Sequence, residues 1–306
     1  MSLAPSPAAL ELGSHLGEGL PPLLLALACG WGYHRRARRL AAQGRPVPAW
    51  RVACFAAGLV TAVAAVSPPL DELSEQLLLA HMAQHLLLAD LGALLLVLGL
   101  TGPMLAPVLS LPVLGRLRVL AHPAVALPLW AIDLYLWHLP ALYQAALRHS
   151  LVHALEHAMF LAFGLNMWMA LLGPLPKPEW FGNLARLGYV VAVRLAGAVL
   201  ANALLWSATV FYPYYDAGAA RWGISPLRDQ SAAGGLMMVE GSLLTIGLFA
   251  WLFLRSARES QERQELLELA AARHVPLDER RAARAVSAGR GAELRARLEG
   301  RGATSP

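Results

Sequence analysis

Two histidine pairs, His81 with His85 in HMAQH and His153 with His157 in HALEH, are the residues of this 306-residue chain whose type and spacing point most directly to chemistry. A four-residue step on a helix puts both rings of a pair on one face. Each pair lies inside an apolar run, where an ionisable side chain is costly and marks a functional site by default. Neutral imidazole is a good ligand for copper and zinc, so the two pairs predict a bound transition metal. The competing reading, hydrogen bonds between helices, accounts more easily for one buried ring than for four.

Composition sets the solvent around these pairs. The chain is 57% hydrophobic and 15% charged, which suits a polytopic membrane protein rather than two soluble domains. A spanning helix needs about 20 mostly apolar residues. Runs bounded by Pro, Gly and charge predict spans near 18–34, 50–67, 76–101, 120–138, 150–172, 187–210 and 231–254. The expected fold class is an all-α membrane protein: a bundle of seven transmembrane helices over 18–254, after an outer segment at 1–17 and before a charged tail at 255–306. The first run lacks a basic leader and a clear cleavage signal and is expected to be retained. Cys29 and Cys54 form no C-x-x-C pattern and are expected to be packing residues.

Arginine gives the orientation. The first loop carries Arg35, Arg36, Arg38, Arg39, Arg45 and Arg51, which by the positive-inside rule makes it cytoplasmic and places the N-terminus outside. The next loop holds Asp71, Glu72 and Glu75 without a basic residue, and Arg116 and Arg118 follow in the third. After seven spans the tail is cytoplasmic. It is rich in Arg, Glu and Ala, with a helix expected near Glu262 to Arg273 and a disordered end, GRGATSP. Most basic residues follow membrane topology, Arg221 and Arg228 beside Asp216 and Asp229 in the sixth, outer loop being the exception, and no phosphate-binding glycine motif is present, so the expected contact is the lipid bilayer and not nucleic acid.

With that topology, His81, His85, His138, His149, His153 and His157, six of the ten histidines, fall in one outer layer. Met82, Glu156, Asp229, Met237, Met238 and Glu240 reach the same layer as candidate further ligands or supporting groups. Thioethers favour Cu(I), and Glu156, near the face of His153, is a carboxylate that can orient a ring by accepting its second N–H. Asp90 lies about 20 Å below the outer end of the third span, at 1.5 Å per residue. Arg194 rises to a comparable depth, so the two are expected to form an intramembrane charge pair, with Asp133 as the rival acid.

Three separated blocks resemble one family. AHMAQHLLL at 80–88, WHLPALYQAALRHSLVHALEHAMFLAFG at 137–164 and WGISPLRDQSAAGGLMM at 222–238 make the chain similar to the seven-span CtaG family of cytochrome c oxidase assembly factors. The resemblance implies a non-enzymatic protein of the bacterial inner membrane. It would bind copper, help mature a haem-copper oxidase, and have oxidase subunits and a periplasmic copper chaperone as partners. It places the motif histidines on His81, His85, His138, His153 and His157, and the S-P-L-x-D-Q segment on Ser225, Pro226, Leu227, Asp229 and Gln230. The chain departs from the family pattern in NMWMALLGP, where a W-W-P ending is expected, and in MMVEGS, which makes Glu240 an unusual acid.

Two other functions fit the residues. A b-type haem protein would use axial histidines on facing helices, although pairs on one helix suit it less well. A metal or proton transporter would use Asp90, Asp133 and Arg194, but needs a polar route through both leaflets, and the histidines stop in the outer half.

Overall fold

The computed structural model describes residues 7–287 and 289–300. Helix α1 (Pro7–Ala42) turns through Gly44, at φ +72°, into α2 (Ala49–Ala65); that left-handed position suits glycine. A short α3 (Leu70–Ser74) precedes α4 (Leu78–His85), which runs through a π-helical turn, Leu86–Gly92, into α5 (Ala93–Gly99). Helices α6 (Gly102–Leu109) and α7 (Pro112–Leu117) lead to α8 (Pro123–Trp137) and α9 (Pro140–Arg148). All four carry Pro in their first turn, where the missing N–H has no helical partner to lose. Then come α10 (Ser150–Leu171), α11 (Asn183–Trp206), α12 (Asp216–Arg221), α13 (Pro226–Ala272), α14 (Glu279–Ser287) and α15 (Gly291–Leu298).

The chain is a membrane protein by its helices. Among the described residues four are long and apolar enough to cross a bilayer: Leu78–Gly99, Ser150–Leu171, Asn183–Trp206 and Pro226–Ala272. The pair α8 and α9, bent by 70°, brings the number to five if it counts as one span. Seven spans were expected. Helix α2 has 17 residues, about 26 Å at 1.5 Å per residue, which is short of a hydrocarbon core of about 30 Å. The fourth expected span ends at Trp137 as expected, but the supposed loop after it is helix α9. Part of the expected outer segment, 1–6, lies outside the described residues; from Pro7 the chain is already helical. Leu25, Leu184, Leu195, Val199 and Leu243 are exposed, as lipid-facing side chains are.

Two compact units divide the chain, Met1–Leu243 and Leu244–Pro306. In the first, the basic residues of the α1–α2 region do more than mark topology. Arg51 Nη1 donates to the carbonyls of Leu98 and Leu100 at 2.8 and 2.7 Å, and Arg36 donates to that of Pro103 at 2.6 Å. The Arg51 bonds satisfy carbonyls at the end of α5, and the Arg36 bond satisfies one in the first turn of α6 whose helical donor position is Pro107, which has no N–H. In the second unit, Leu266, Ala270, Val286 and Leu298 pack into a small core, and Arg295 pairs with Glu265. The charged tail therefore folds into helices through Leu298, because these apolar residues recur on facing helices. Of the end expected to be disordered, residues 301–306 lie outside the described residues.

Close backbone contact seats α10 on the first histidine helix. A Cβ added to Gly164 would lie 2.3 Å from the Ala89 carbonyl oxygen in the π-helical turn. Small residues allow such approach in membrane bundles. Gly164→Val is expected to force the helices apart and lower the thermal midpoint in detergent, at the overpacking cost of about 1–3 kcal/mol or more. Melting followed by circular dichroism checks it; an unchanged midpoint would mean that the two backbones do not meet.

Candidate metal centre

Four imidazoles and one carboxyl converge between α4 and α10. Within each helix the four-residue step brings ring centroids to 4.3 Å for His81 and His85 and to 4.2 Å for His153 and His157. Across the helices the His81 ring is 5.3 Å from His153 and 6.3 Å from His157, and His85 is 5.5 Å from His157. Glu156 is fully buried, with Oε2 3.7 Å from His81 Nε2 and 3.9 Å from His85 Nε2. The sequence placed it near the face of His153, as a carboxylate able to orient a ring. At 100° per residue position 156 flanks the face of 153 and 157, and the carboxyl reaches across to α4.

The distances discriminate between hydrogen bonding and ion binding. At 3.7 and 3.9 Å the imidazole–carboxylate contacts are too long for hydrogen bonds, whose N···O range ends near 3.2 Å. One ligand atom each from His81, His85 and Glu156 lies within 4.8 Å of the others. Donors about 2.0–2.1 Å from a tetrahedral ion lie roughly 3.3 Å apart, so a small contraction closes the set. Nε2 of His81, both ring nitrogens of His85, Nε2 of His157 and both oxygens of Glu156 are buried without a hydrogen-bond partner. Such groups are rare in native proteins and cost about 1–3 kcal/mol each, more for a charge, so they fit a cation-binding role.

His138, at the C-terminal end of α8, joins the centre from a third direction. Its Nδ1 donates to the Leu134 carbonyl at 2.7 Å, and its Nε2 lies 3.5 Å from the Met82 sulfur. Its ring is 6.5 Å from that of His85. Phe160 closes this side, with its ring 4.4 Å from His85 and 6.0 Å from His138.

An aromatic wall that the sequence did not signal covers the centre. Tyr143 on α9 lies 5.1 Å from the His81 ring and meets Tyr215 hydroxyl to hydroxyl at 3.1 Å. Tyr212 stacks on Tyr143 at 4.0 Å, and its hydroxyl donates to the His138 carbonyl at 2.7 Å. Burial pushes the Tyr212 and Tyr215 phenols up, so both stay neutral. Tyr143 sits three residues after Pro140, the residue that opens α9, and that was the one available signal.

The remaining expected residues have other roles. His149 is exposed at the N-cap of α10, at the rim of the cluster. Asp229 accepts the Leu78 and Leu79 amides at 2.7 and 3.0 Å, so its carboxylate caps α4. Gln230 accepts the Phe211 amide at 2.8 Å and donates to the Thr209 carbonyl at 3.0 Å, clamping the loop that carries Tyr212. Met237 is buried, whereas the Met238 sulfur accepts from Arg194 and Asn202.

Arg194 also donates to the Met238 carbonyl and to Ser242, both at 3.0 Å. No ion pair among the described residues joins Arg194 to Asp90. The expected charge pair is replaced by bonds to α13, whose Met238 and Ser242 stand a turn apart beside the guanidinium. Glu240 feels the charges of both Asp90 and Arg194, which places it in this separate polar group. Asp133 is buried on α8 and interacts electrostatically with Glu156.

A family model described as cytochrome c oxidase caa3 assembly factor (Caa3_CtaG) matches residues 31–259, well over half of the chain. Comparison with curated proteins and with solved structures gives no match.

Proposed function

The chain belongs to the cytochrome c oxidase caa3 assembly factor family, and on that premise we propose that it carries copper as cargo to a haem-copper oxidase of the bacterial inner membrane. The observation that supports this is the buried donor set of His81, His85 and Glu156, with His153 and His157 one ring away. Imidazole and carboxylate bind copper without redox chemistry of their own, and histidine ligands exchange readily with those of a recipient. The chain works by ligand exchange and not by turnover. Oxidase subunits receive the ion, and a periplasmic copper chaperone supplies it.

The same reading orients the protein. Arg51 holds the far end of the 22-residue helix Leu78–Gly99, Arg36 bonds the start of α6 just beyond it, and the histidine cluster lies near the helix's own start. From His85 and His81 to Leu98 is 13 and 17 residues, roughly 20 and 26 Å at 1.5 Å per residue, so on this reading the basic loop and the cluster lie towards opposite faces of a bilayer. By the positive-inside rule the N-terminus and the cluster face outward and the tail is cytoplasmic, with α1, the α8–α9 pair and the short α2, which local thinning of the bilayer accommodates, completing seven spans.

The test is the metal content and visible spectrum of purified chain after copper loading and desalting. Near-stoichiometric copper without a Soret band is the expected result. A Soret band with stoichiometric iron would replace the copper reading by a haem one, and a copper-free chain would remove it.

A further inference from the structure

His138 and Met82 face each other in a way that packing alone does not explain. A carbonyl oxygen only accepts, so the 2.7 Å bond to Leu134 requires the proton on His138 Nδ1. In the neutral ring Nε2 then carries a lone pair, and it points at the Met82 sulfur, 3.5 Å away, which has no hydrogen to give. Two lone pairs in contact in a dry interior repel unless a cation lies between them. A proton there would create a buried imidazolium, and no carboxylate among the described residues pairs with His138. Both side chains are held in place: Met82 is 1% exposed, and the Tyr212 hydroxyl fixes the His138 carbonyl at 2.7 Å.

The chemistry of the pair is specific. A thioether is a soft ligand that favours Cu(I), while the carboxylate–imidazole set beside it accepts divalent ions equally well. Met82 and His85 are three residues apart on α4 and share a face, and His85 lies between the two groups, 5.5 Å from His157 and 6.5 Å from His138.

We propose that Met82 and His138 form a second copper station, selective for the cuprous ion, that shares His85 with the histidine–glutamate cluster. This rests on the reading that the chain carries copper. An ion held by His81, His85 and Glu156 passes to the second station by keeping His85 and exchanging its other ligands for the Met82 sulfur and His138 Nε2. Its oxidation state does not change, so no electron donor or acceptor is required.

X-ray absorption of full-length chain loaded anaerobically with Cu(I) tests the proposal, together with competition against a cuprous chelator and titration with Co(II). In the unaltered chain a sulfur belongs to the copper shell. Met82→Leu, a nearly volume-conserving change, is expected to remove that sulfur and lower Cu(I) affinity on the order of tenfold or more, while Co(II) affinity moves by less than about twofold. Met104→Leu, in the separate core with Tyr33 and Leu40, is the control and leaves all three readings unchanged. A copper shell of nitrogen and oxygen alone in the unaltered chain overturns the second station and leaves the proposed function standing. Sulfur that persists in Met82→Leu, or equal losses of Cu(I) and Co(II), also overturns it. A chain that binds no copper overturns both.

Discussion

His81→Leu combined with Glu156→Met is expected to abolish stoichiometric copper binding while leaving the protein as stable as before or more so. The two changes remove two of the three atoms that converge within 4.8 Å, so affinity falls on the order of a hundredfold or more. Stability moves the other way for a physical reason. His81 Nε2 and both Glu156 oxygens are buried without hydrogen-bond partners, and exchanging such groups for apolar ones of similar size is neutral or stabilising, here by about 1 kcal/mol. In cells that depend on this chain, the oxidase should then lack copper although the assembly factor accumulates normally. Metal analysis, a thermal melt and oxidase activity in membranes read the three effects separately. A sharp drop in melting temperature with copper retained would make the cluster structural.

Asp229→Ala should produce the reverse pattern, a large loss of stability followed by a loss of copper. Leu77, at the N-cap of α4, has no side chain able to cap the helix, and the first free amides, of Leu78 and Leu79, are taken instead by a carboxylate 150 or so residues further along the chain. Hydrogen bonds to a charged acceptor contribute about 1.5–3 kcal/mol each, so loss of the two costs about 3–6 kcal/mol. That corresponds to a fall of roughly 10 °C in the midpoint for a unit of this size. His81 is one turn beyond the cap, so fraying of α4 should also weaken copper binding. Asp229→Asn should fall between the two, since its amide keeps one acceptor but turns an NH2 group towards the second donor. Melting of the three proteins in detergent checks the order. Equal midpoints for all three would show that the cap contributes nothing and that Asp229 serves another purpose.

Legibility in the sequence followed locality. HMAQH and HALEH announced two one-faced pairs, and their rings do stand 4.3 and 4.2 Å apart. The apolar run at 76–101 likewise became the continuous helix Leu78–Gly99. The α8–α9 region was harder, because Leu139–Pro140 opens a new helix at an angle rather than a loop, and only that bend brings Tyr143 over His81. Asp229 was a candidate ligand or supporting group from its layer, and the structure shows it as an N-cap. Nothing within Pro226–Ala272 says which distant helix start it meets. Arg194 read as a partner for Asp90 by depth alone, and depth does not fix direction around a helix axis.

The sequence by itself determined that this is a helical membrane protein and that its paired imidazoles share helix faces. Each of these is set by the 3.6-residue period or by transfer of side chains into lipid, and both act along a single helix. Only the tertiary structure decided that Glu156 reaches across to His81 and His85, that His138 meets Met82, and that Asp229 caps α4. Those contacts depend on how closely α10 approaches the π-helical turn at Gly164 and how α8 gives way to α9. Crossing geometry of that kind arises from packing many small contacts at once, and no spacing within one segment encodes it.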